Sequence, residues 1–526
     1  MKAVSHQYLL PDNLDPAGFL DQLELPGQLR VSPVVYVTRT CYDTFDWRLR
    51  ANHSCLVEEQ QAGSLHTRWL RLDDATLLAK LNSGVPRFVA DLPPSSLRTG
   101  LAPLVEMRVL LPVVQLQVRA MPARLVDKQG KTVLRLVIDQ ARVGPPGAPC
   151  TQVLPARVCL NPVRGYCKPL LLAVKQLQEV LGLAPTGPLI DTALQTIGRP
   201  PEDYSGKLNL SLQAEMPAGE AARIILQALL RTMLQNLEGV CADLDSEFLH
   251  DFRVAVRRTR SLFSQFKGVL PPQVLKVFRP GFRWLGQITG PTRDLDVYLL
   301  KFPAYRQSLE TDMQAELQPL HDFLVRHQRQ EQRKLAGLLR SARCRQLLQD
   351  WQSFLETPMD EATWPGPATS PIGALASRKI WKAYCKVLQV GDALAADSDA
   401  AALHALRIDC KKLRYLMEFF ASIYPGKEVR RQIKELKALQ DHLGDFQDLE
   451  VQANALRDFG HAMQAEQPDL PGDVFMAMGV LIDSLYKRQS IERQNFSGRF
   501  ARFARPGNRK ICHGMFKPSP SDKDVR

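Results

Sequence analysis

The ten cysteines of this sequence, at positions 41, 55, 150, 159, 167, 241, 344, 385, 410 and 512, include no pair at C-x-x-C spacing. Zinc ribbons and dithiol redox motifs, which need thiolates close together, are excluded. No apolar run approaches the roughly 20 residues that span a bilayer. The start, Met1 to Pro11, has neither a long apolar stretch nor a small-residue cleavage site, so no secretory signal is expected. A cytoplasmic chain is predicted, away from membranes, with its cysteines serving as small apolar core residues. Catalytic signatures are missing too: there is no Gly-x-Ser-x-Gly elbow, no P-loop and no dinucleotide fingerprint. Nor is there a zinc-finger, helix-turn-helix or RNA-recognition signature.

What is present is length and positive charge. At 526 residues the chain is too long for one ordinary domain. Apolar residues at 45% and charged residues at 23% are those of a globular protein. Lys and Arg outnumber Asp and Glu by 68 to 55, a net charge of +13. That balance favours polyanions without choosing among nucleic acid, an acidic membrane surface and a phosphate polymer.

From Val34 to Arg142 the pattern is strand-like. Runs at 34–38, 54–57, 66–72, 87–90, 104–110, 115–119 and 121–126 are rich in β-branched and aromatic residues. Asp127-Lys-Gln-Gly130 is a turn signal, and the run at 131–138 alternates across it, which predicts a hairpin. Many short strands suggest an antiparallel sheet or barrel. Leu170 to Leu183 reads as an amphipathic helix, and Pro/Gly-rich segments at 183–188 and 197–202 mark a joint. A short strand at 207–212 is assigned to the first domain.

From about Glu220 the hydrophobic period becomes helical. In the stretch from His250 to Arg260, His250, Arg253, Arg257 and Arg260 fall at i, i+3, i+7 and i+10. On a helix these occupy a band of roughly 80°, with Phe252, Val256, Thr259 and Phe263 further round. The stretch recurs. His404, Arg407, Lys411, Lys412 and Arg414 match His250, Arg253, Arg257, Arg258 and Arg260 at one offset, 404 − 250 = 154. Lys276 and Arg283 map to Arg430 and Lys437, and Gly290 to Val297 maps to Gly444 to Val451, at the same offset. A constant offset with charge largely kept signals duplication, and predicts two helical bundles related by a pseudo-twofold.

Residues 217 to about 505 resemble a CHAD domain, the conserved-histidine α-helical domain. The resemblance rests on His-x-x-Arg-Val-x-x-Arg-Arg-x-Arg at His250, its copy at His404 ending Lys-Lys-Leu-Arg-Tyr415, and the two Asp-Leu-Asp/Glu-Val segments. It implies binding of inorganic polyphosphate in a basic groove between the bundles, and association with polyphosphate granules. The N-terminal region resembles a degenerate CYTH (triphosphate tunnel) domain. That likeness rests on Cys41 to Leu49, which is similar to Y-x-D-T-x-D-x-x-L, on the hairpin over Gly130 with Asp139, and on Arg164-Gly-Tyr166. The family implies a triphosphate gripped by Lys and Arg beside a metal held by an E-x-E-x-K strand. Here the corresponding residues, Val4 to Tyr8, hold neither Glu nor Lys, and the strand after Trp47 reads Cys55-Leu-Val-Glu-Glu59. An inactive scaffold, or a site for another ligand, is therefore favoured over a metal-dependent hydrolase. Arg68, Arg71, Arg108, Arg119 and Arg135 are candidates for a basic lining.

The expected fold is multidomain α+β: an antiparallel β-barrel or tunnel-like domain (1–200), a linker (201–216), a first helical bundle (217–356), a linker (357–371), a second bundle (372–505) and a disordered tail (506–526). The expected function is non-enzymatic polyphosphate binding. The site residues are His250, Arg253, Arg257, Arg258, Arg260, Lys276, Arg283, His404, Arg407, Lys411, Lys412, Arg414, Arg430 and Lys437. Guanidinium forks suit phosphate oxygens, and the histidines can add hydrogen bonds. No catalytic residue, metal or cofactor is assigned. Four alternatives stand beside this: a triphosphate hydrolase in the first domain, a nucleic-acid binder, a protein partner docked on the first domain, and a metal site from His250, His404, Asp294, Asp296, Asp448 and Glu450. Single-strand binding needs stacking rings, and near the stripes only Phe252, Phe263 and Tyr415 occur, at core positions.

Overall fold

The computed structural model describes residues 5–11, 15–201, 203–206, 208–358, 364–394 and 399–518. Val4 of the N-terminal strand, residues 202, 207 and 359–363 of the expected linkers, and 519–526 of the expected tail lie outside the described residues. The chain forms two compact units, Met1–Ser205 and Gly206–Arg526.

The first unit is one antiparallel sheet with helices. Its strands are β1 (His6–Leu9), β2 (Gln28–Val31), β3 (Val35–Asp43), β4 (Ser54–Gln61), β5 (Ser64–Arg71), β6 (Leu77–Leu81), β7 (Leu111–Val126), β8 (Thr132–Gly144), β9 (Gln152–Val153) and β10 (Arg157–Pro162). Its helices are α1 (Pro16–Asp21), α2 (Arg48–Ala51), α3 (Ser96–Val105), α4 (Cys167–Lys175) and α5 (Leu189–Thr196). The main strand order is β1-β10-β8-β7-β3-β4-β5-β6. Among the described residues no ladder joins β1 to β6, so the expected antiparallel barrel or tunnel-like sheet takes the form of a curled half-barrel. The two end strands, of four and five residues, offer few groups for closure. The sheet curls all the same: Gln7, on the edge strand β1, and Arg68, on β5 beside the other edge strand, line the same cavity.

The predicted hairpin joins β7 to β8. Asp127 Oδ1 accepts the backbone N–H groups of Gln129 and Lys131, each at 2.9 Å, and Gly130 supplies the left-handed φ of 78° that the turn requires. Two expected strands are absent. Residues 87–90 lead into a short 3₁₀ turn at Val89–Asp91, and Leu104–Leu110 comprises the last two residues of α3 and the turn and loop that precede β7. Ser95 caps α3 by accepting from Arg98 N at 3.2 Å, and Leu97, Leu101 and Val105 form its buried stripe at a period of four. The segment from Cys41 to Leu49 is a structural corner. The Asp43 carboxylate, buried, accepts the N–H groups of Thr44, Leu49 and Arg50 at 2.7, 2.9 and 3.0 Å. Burial pushes this carboxyl up to about 6 against those hydrogen bonds.

The second unit holds α6 (Ala218–Cys241), α7 (Ser246–Gln265), α8 (Pro272–Ile288), α9 (Gly290–Gln307), α10 (Gln318–Leu339), α11 (Ala342–Glu356), α12 (Ile372–Asp392), α13 (Ala400–Phe419), α14 (Gly426–Glu466), α15 (Gly472–Phe503) and α16 (Pro506–Phe516). Helix starts repeat the sequence offset: 372 − 218, 400 − 246, 426 − 272 and 472 − 318 all equal 154. The twofold shows in single bonds. Ala218 N donates to Ser370 O and Ile372 N to Met216 O, both at 2.9 Å, and each bond is the other's image under the offset. The shared core obeys it too, pairing Leu295 with Leu449, Phe302 with Leu456, Leu320 with Val474 and Phe323 with Ala477. Each half therefore completes the other's apolar face.

Two further expectations are corrected. Of the strand expected at 207–212, the described residues 208–212 form none: Leu212 lies in the second unit, its N–H bonded to Ser422 Oγ at 3.0 Å. The tail from 506 is ordered through Phe516. Asn508, Cys512 and Phe516 fall at i, i+4 and i+8 and are buried, while Arg509, Lys510 and His513 form the outer face that made the segment look polar. No helix among the described residues is long and apolar enough to cross a membrane.

Candidate anion-binding site

Helix α7 begins at Asp245, whose carboxylate accepts from Glu247 N and Phe248 N. Phe248, Phe252, Thr259 and Phe263 are buried, so the helix must present its cations on the other side. Helix α13 repeats this with Leu403, Leu406, Cys410 and Leu413 buried. Between α7, α8 and α13 lies a groove of about 580 Å³. Six cationic side chains line it: Arg257, Arg260, Arg279, Arg283, Lys411 and Lys412. Its other lining residues are Ser261, Phe263, Ser264, Ile408 and Tyr415, and none is a carboxylate.

Five of those six cations were expected from the sequence. Arg279 was not. Its repeat counterpart is Ile433 (279 + 154), so matching charge between the halves passed it by. Its place on the α8 face between Lys276 (i+3) and Arg283 (i+4) is the signal that finds it. Arg279 Nη2 is anchored on Phe263 O at 2.7 Å, and Arg257 Nε donates to Tyr415 OH at 2.7 Å. Burial, then the charges of Arg407 and Arg257, push the Lys411 ammonium down to about 8. A cation pressed among cations with no acid partner in the groove is arranged for an external anion.

The remaining predicted residues lie outside this groove. Arg258 and Arg414 both bind Glu418, at 2.6 and 3.3 Å, and flank the Tyr415 ring at 5.8 and 5.4 Å from its centroid. They tie α7 to α13. Arg414 thus departs from Arg260, its equivalent, because Glu418 stands where the first half has Ser264 (264 + 154). Arg253 donates to Thr289 Oγ1 at 3.0 Å, and Arg407 to Gln447 Oε1 and Asp448 Oδ1 at 2.8 and 3.1 Å. His250 Nδ1 meets Arg293 Nη2 at 3.0 Å. A guanidinium only donates, so this ring nitrogen accepts, which assigns the proton of a neutral imidazole to Nε2. His404 is exposed, and the place of Arg293 is taken by Gln447. The two histidines are therefore not equivalent. Lys276, exposed, borders a shallow depression with Arg279, and Arg430 and Lys437 are exposed on α14. Two of the four acids considered for a metal are engaged elsewhere: Asp296 with Gln328 at 3.1 Å and Asp448 with Arg407. Among the described residues no group of three His, Cys, Asp or Glu side chains is placed to hold a metal ion.

In the first unit, Arg68 and Arg71 line a cavity of about 270 Å³, as expected of a basic lining. Arg108 is instead buried against Asp46 at 3.5 Å, Arg119 donates to Gln140 Oε1, and Arg135 is exposed. The other basic residues on the wall are Arg39 and Arg157, which the sequence reading missed. Glu59 and Asp139 are both bound by Arg39, at 2.9 and 3.2 Å.

Comparison with known proteins agrees with the helical unit. Residues 224–457 match the family model of the CHAD domain. Among solved structures, the chain is similar to the CHAD domain from the plant Ricinus communis, with 25% identity and a TM-score of 0.46 over 59% of this chain and 97% of that one. It is similar to PptA from Streptomyces chartreusis, with 17% identity and a TM-score of 0.43 over 54% and 99%. A Bacillus halodurans protein assigned as an adenylate cyclase matches with 12% identity and a TM-score of 0.26 over 36% and 94%. Comparison with curated proteins gives no match. The helical unit of this chain carries a CHAD domain, spanning residues 224–457.

Proposed function

We propose that the groove between α7, α8 and α13 binds inorganic polyphosphate, and that the protein is a non-enzymatic polyphosphate binder associated with polyphosphate granules. The observation that carries this reading is the lining: six cations from three helices and no carboxylate. Arginine forks take phosphate oxygens in pairs, and Lys411 and Lys412 add point charges. His250, Arg253, Arg407, Arg258 and Arg414 support the groove by fixing α7 and α13. His404, Lys276, Arg430 and Lys437 extend the positive field along the polymer.

The lining also favours polyphosphate over single-stranded nucleic acid. Base stacking needs exposed ring faces. Phe263 is 1% and Tyr415 3% exposed, and the Tyr415 hydroxyl is occupied by Arg257. Titrating the full chain with labelled long-chain polyphosphate and with single-stranded DNA of matched charge, at about 0.15 M salt, tests this. Tighter polyphosphate binding is expected; equal or tighter DNA binding overturns the reading.

A further inference from the structure

The helix beside the groove breaks the duplication. Helix α12 carries Arg378, Lys379, Lys382 and Lys386 and one acid, Asp392, at its last residue. The residues 154 positions earlier on α6 are Ile224, Ile225, Ala228 and Thr232. This positive charge therefore belongs to the second half alone. Lys379, Lys382 and Lys386 fall at i, i+3 and i+7, a band of roughly 60° that runs about 10 Å along the helix. Ile225 is fully buried, so Lys379 stands where the first half packs a core side chain. Neither Lys379 nor Lys382 is ion-paired to an acid among the described residues. A lysine at such a place without a carboxylate costs stability unless its charge is put to use.

The stripe meets the rim of the groove at two places. Gln265 follows the lining residue Ser264, and its Nε2 donates to Ser261 Oγ at 3.1 Å and to Lys412 O at 3.2 Å. Its backbone carbonyl accepts from the Lys379 ammonium, which also lies over the Phe266 ring, 5.5 Å from the centroid. Further along α12, Asp409 takes Lys412 Nζ on one oxygen at 3.3 Å and Lys386 Nζ on the other at 2.8 Å. One carboxylate thus serves two lysines, one in the groove and one on α12, and leaves them a net positive charge. Lys382 lies between these two contacts along α12 and is exposed. Burial, then the charges of Arg378 and Lys382, push the Lys379 ammonium down, as burial and neighbouring cations do to Lys411 inside the groove. Cations crowd along the rim as they do within.

We propose that α12 continues the polyphosphate site: a chain that fills the groove leaves it past Gln265 and is held next by Lys379 and Lys382. This rests on the polyphosphate reading of the groove and adds a length preference to it. A long chain reaches both sets of cations, whereas tripolyphosphate is too short to occupy the groove and the α12 stripe together. The test is calorimetric titration of the full chain with long-chain polyphosphate and with tripolyphosphate. It compares the native protein, Lys379→Gln with Lys382→Gln, and the groove variant Arg257→Gln with Lys411→Gln. The α12 variant should lose about tenfold or more in affinity for the long chain, and no more than about threefold for tripolyphosphate. The groove variant should lose about tenfold or more for both. In case Lys379→Gln disturbs the end of α7, Lys382→Glu alone alters an exposed side chain and should show the same selective loss. Native affinity for the long chain in both α12 variants, or a loss as large for tripolyphosphate as for the long chain, overturns the proposal. A groove variant that weakens neither ligand instead overturns the polyphosphate reading of the groove, and this proposal with it.

Discussion

Replacing Arg257 and Lys411 together by glutamine removes two of the six cations that line the groove of the helical unit. Neither is ion-paired to an acid among the described residues, so the change strands no carboxylate. The structural loss is one hydrogen bond, Arg257 Nε to Tyr415 OH, worth about 1 kcal/mol. The effect on a bound polyanion is larger and has a definite form. Each phosphate neutralised on a single-stranded polymer steepens the plot of log affinity against log salt by about 0.7, so six contacts give a slope of about −4 and four give about −3. Between about 50 and about 200 mM KCl the native protein should lose about 300-fold in affinity and the variant about 50-fold. Anisotropy of end-labelled polyphosphate across that range, with circular dichroism to confirm folding, reads both slopes. An unchanged slope with two lining cations gone would refute the assignment of the groove. Charge reversal at the same positions, Arg257→Glu with Lys411→Glu, should abolish binding with the helices intact.

Three other outcomes follow from the same structure. Because burial and its cationic neighbours lower Lys411 to about 8, the empty groove loses this charge as pH rises through about 8, and polyphosphate affinity should fall between pH about 7 and about 9 by up to about tenfold per unit; Lys411→Arg should flatten the profile. In the unbound protein the sign is opposite: the unfolded chain keeps that proton up to about pH 10, so Lys411 makes stability rise with pH between about 8 and about 10. Glu418→Gln takes the shared carboxylate from Arg258 and Arg414 and should cost about 1–3 kcal/mol in urea unfolding. Phe516→Ala empties a fully buried position on α16 that packs on the Tyr424 ring at 4.8 Å and should cost about 3 kcal/mol; a change below about 0.5 kcal/mol would mean the helix is not docked.

How far the sequence could be read depended on whether a second copy was there to check it. Within the helical unit each periodic stretch had a partner 154 residues away, and helix starts at 218, 246, 272 and 318 recur at 372, 400, 426 and 472. In the sheet no such comparison existed. The 104–110 run looked extended because its apolar residues alternate, while the stripe Leu97, Leu101 and Val105 that makes α3 a helix begins upstream. The segment from Cys41 to Leu49 drew notice for its likeness to Y-x-D-T-x-D-x-x-L, and the structure uses Asp43 to hold three backbone N–H groups.

The residue pattern by itself determined that the second unit is duplicated, that α7 and α13 each carry a basic face, and that metal-binding and nucleotide motifs are missing. These are properties of periodicity and residue type, which survive without knowing what packs where. Tertiary structure decided which cations share one groove. Arg260 enters it by lying over Gly286, where a Cβ would stand 2.6 Å from its Nη1; the second half has Gln440 at that position and Glu418 to draw Arg414 aside. Arg279 joins from α8 with no counterpart to announce it. In the first unit, the curl of the sheet brings Gln7 and Arg68 to one cavity although they lie near opposite ends of the strand order. Side-chain charge is local to the sequence, but its compensation depends on neighbours that the chain supplies only once folded.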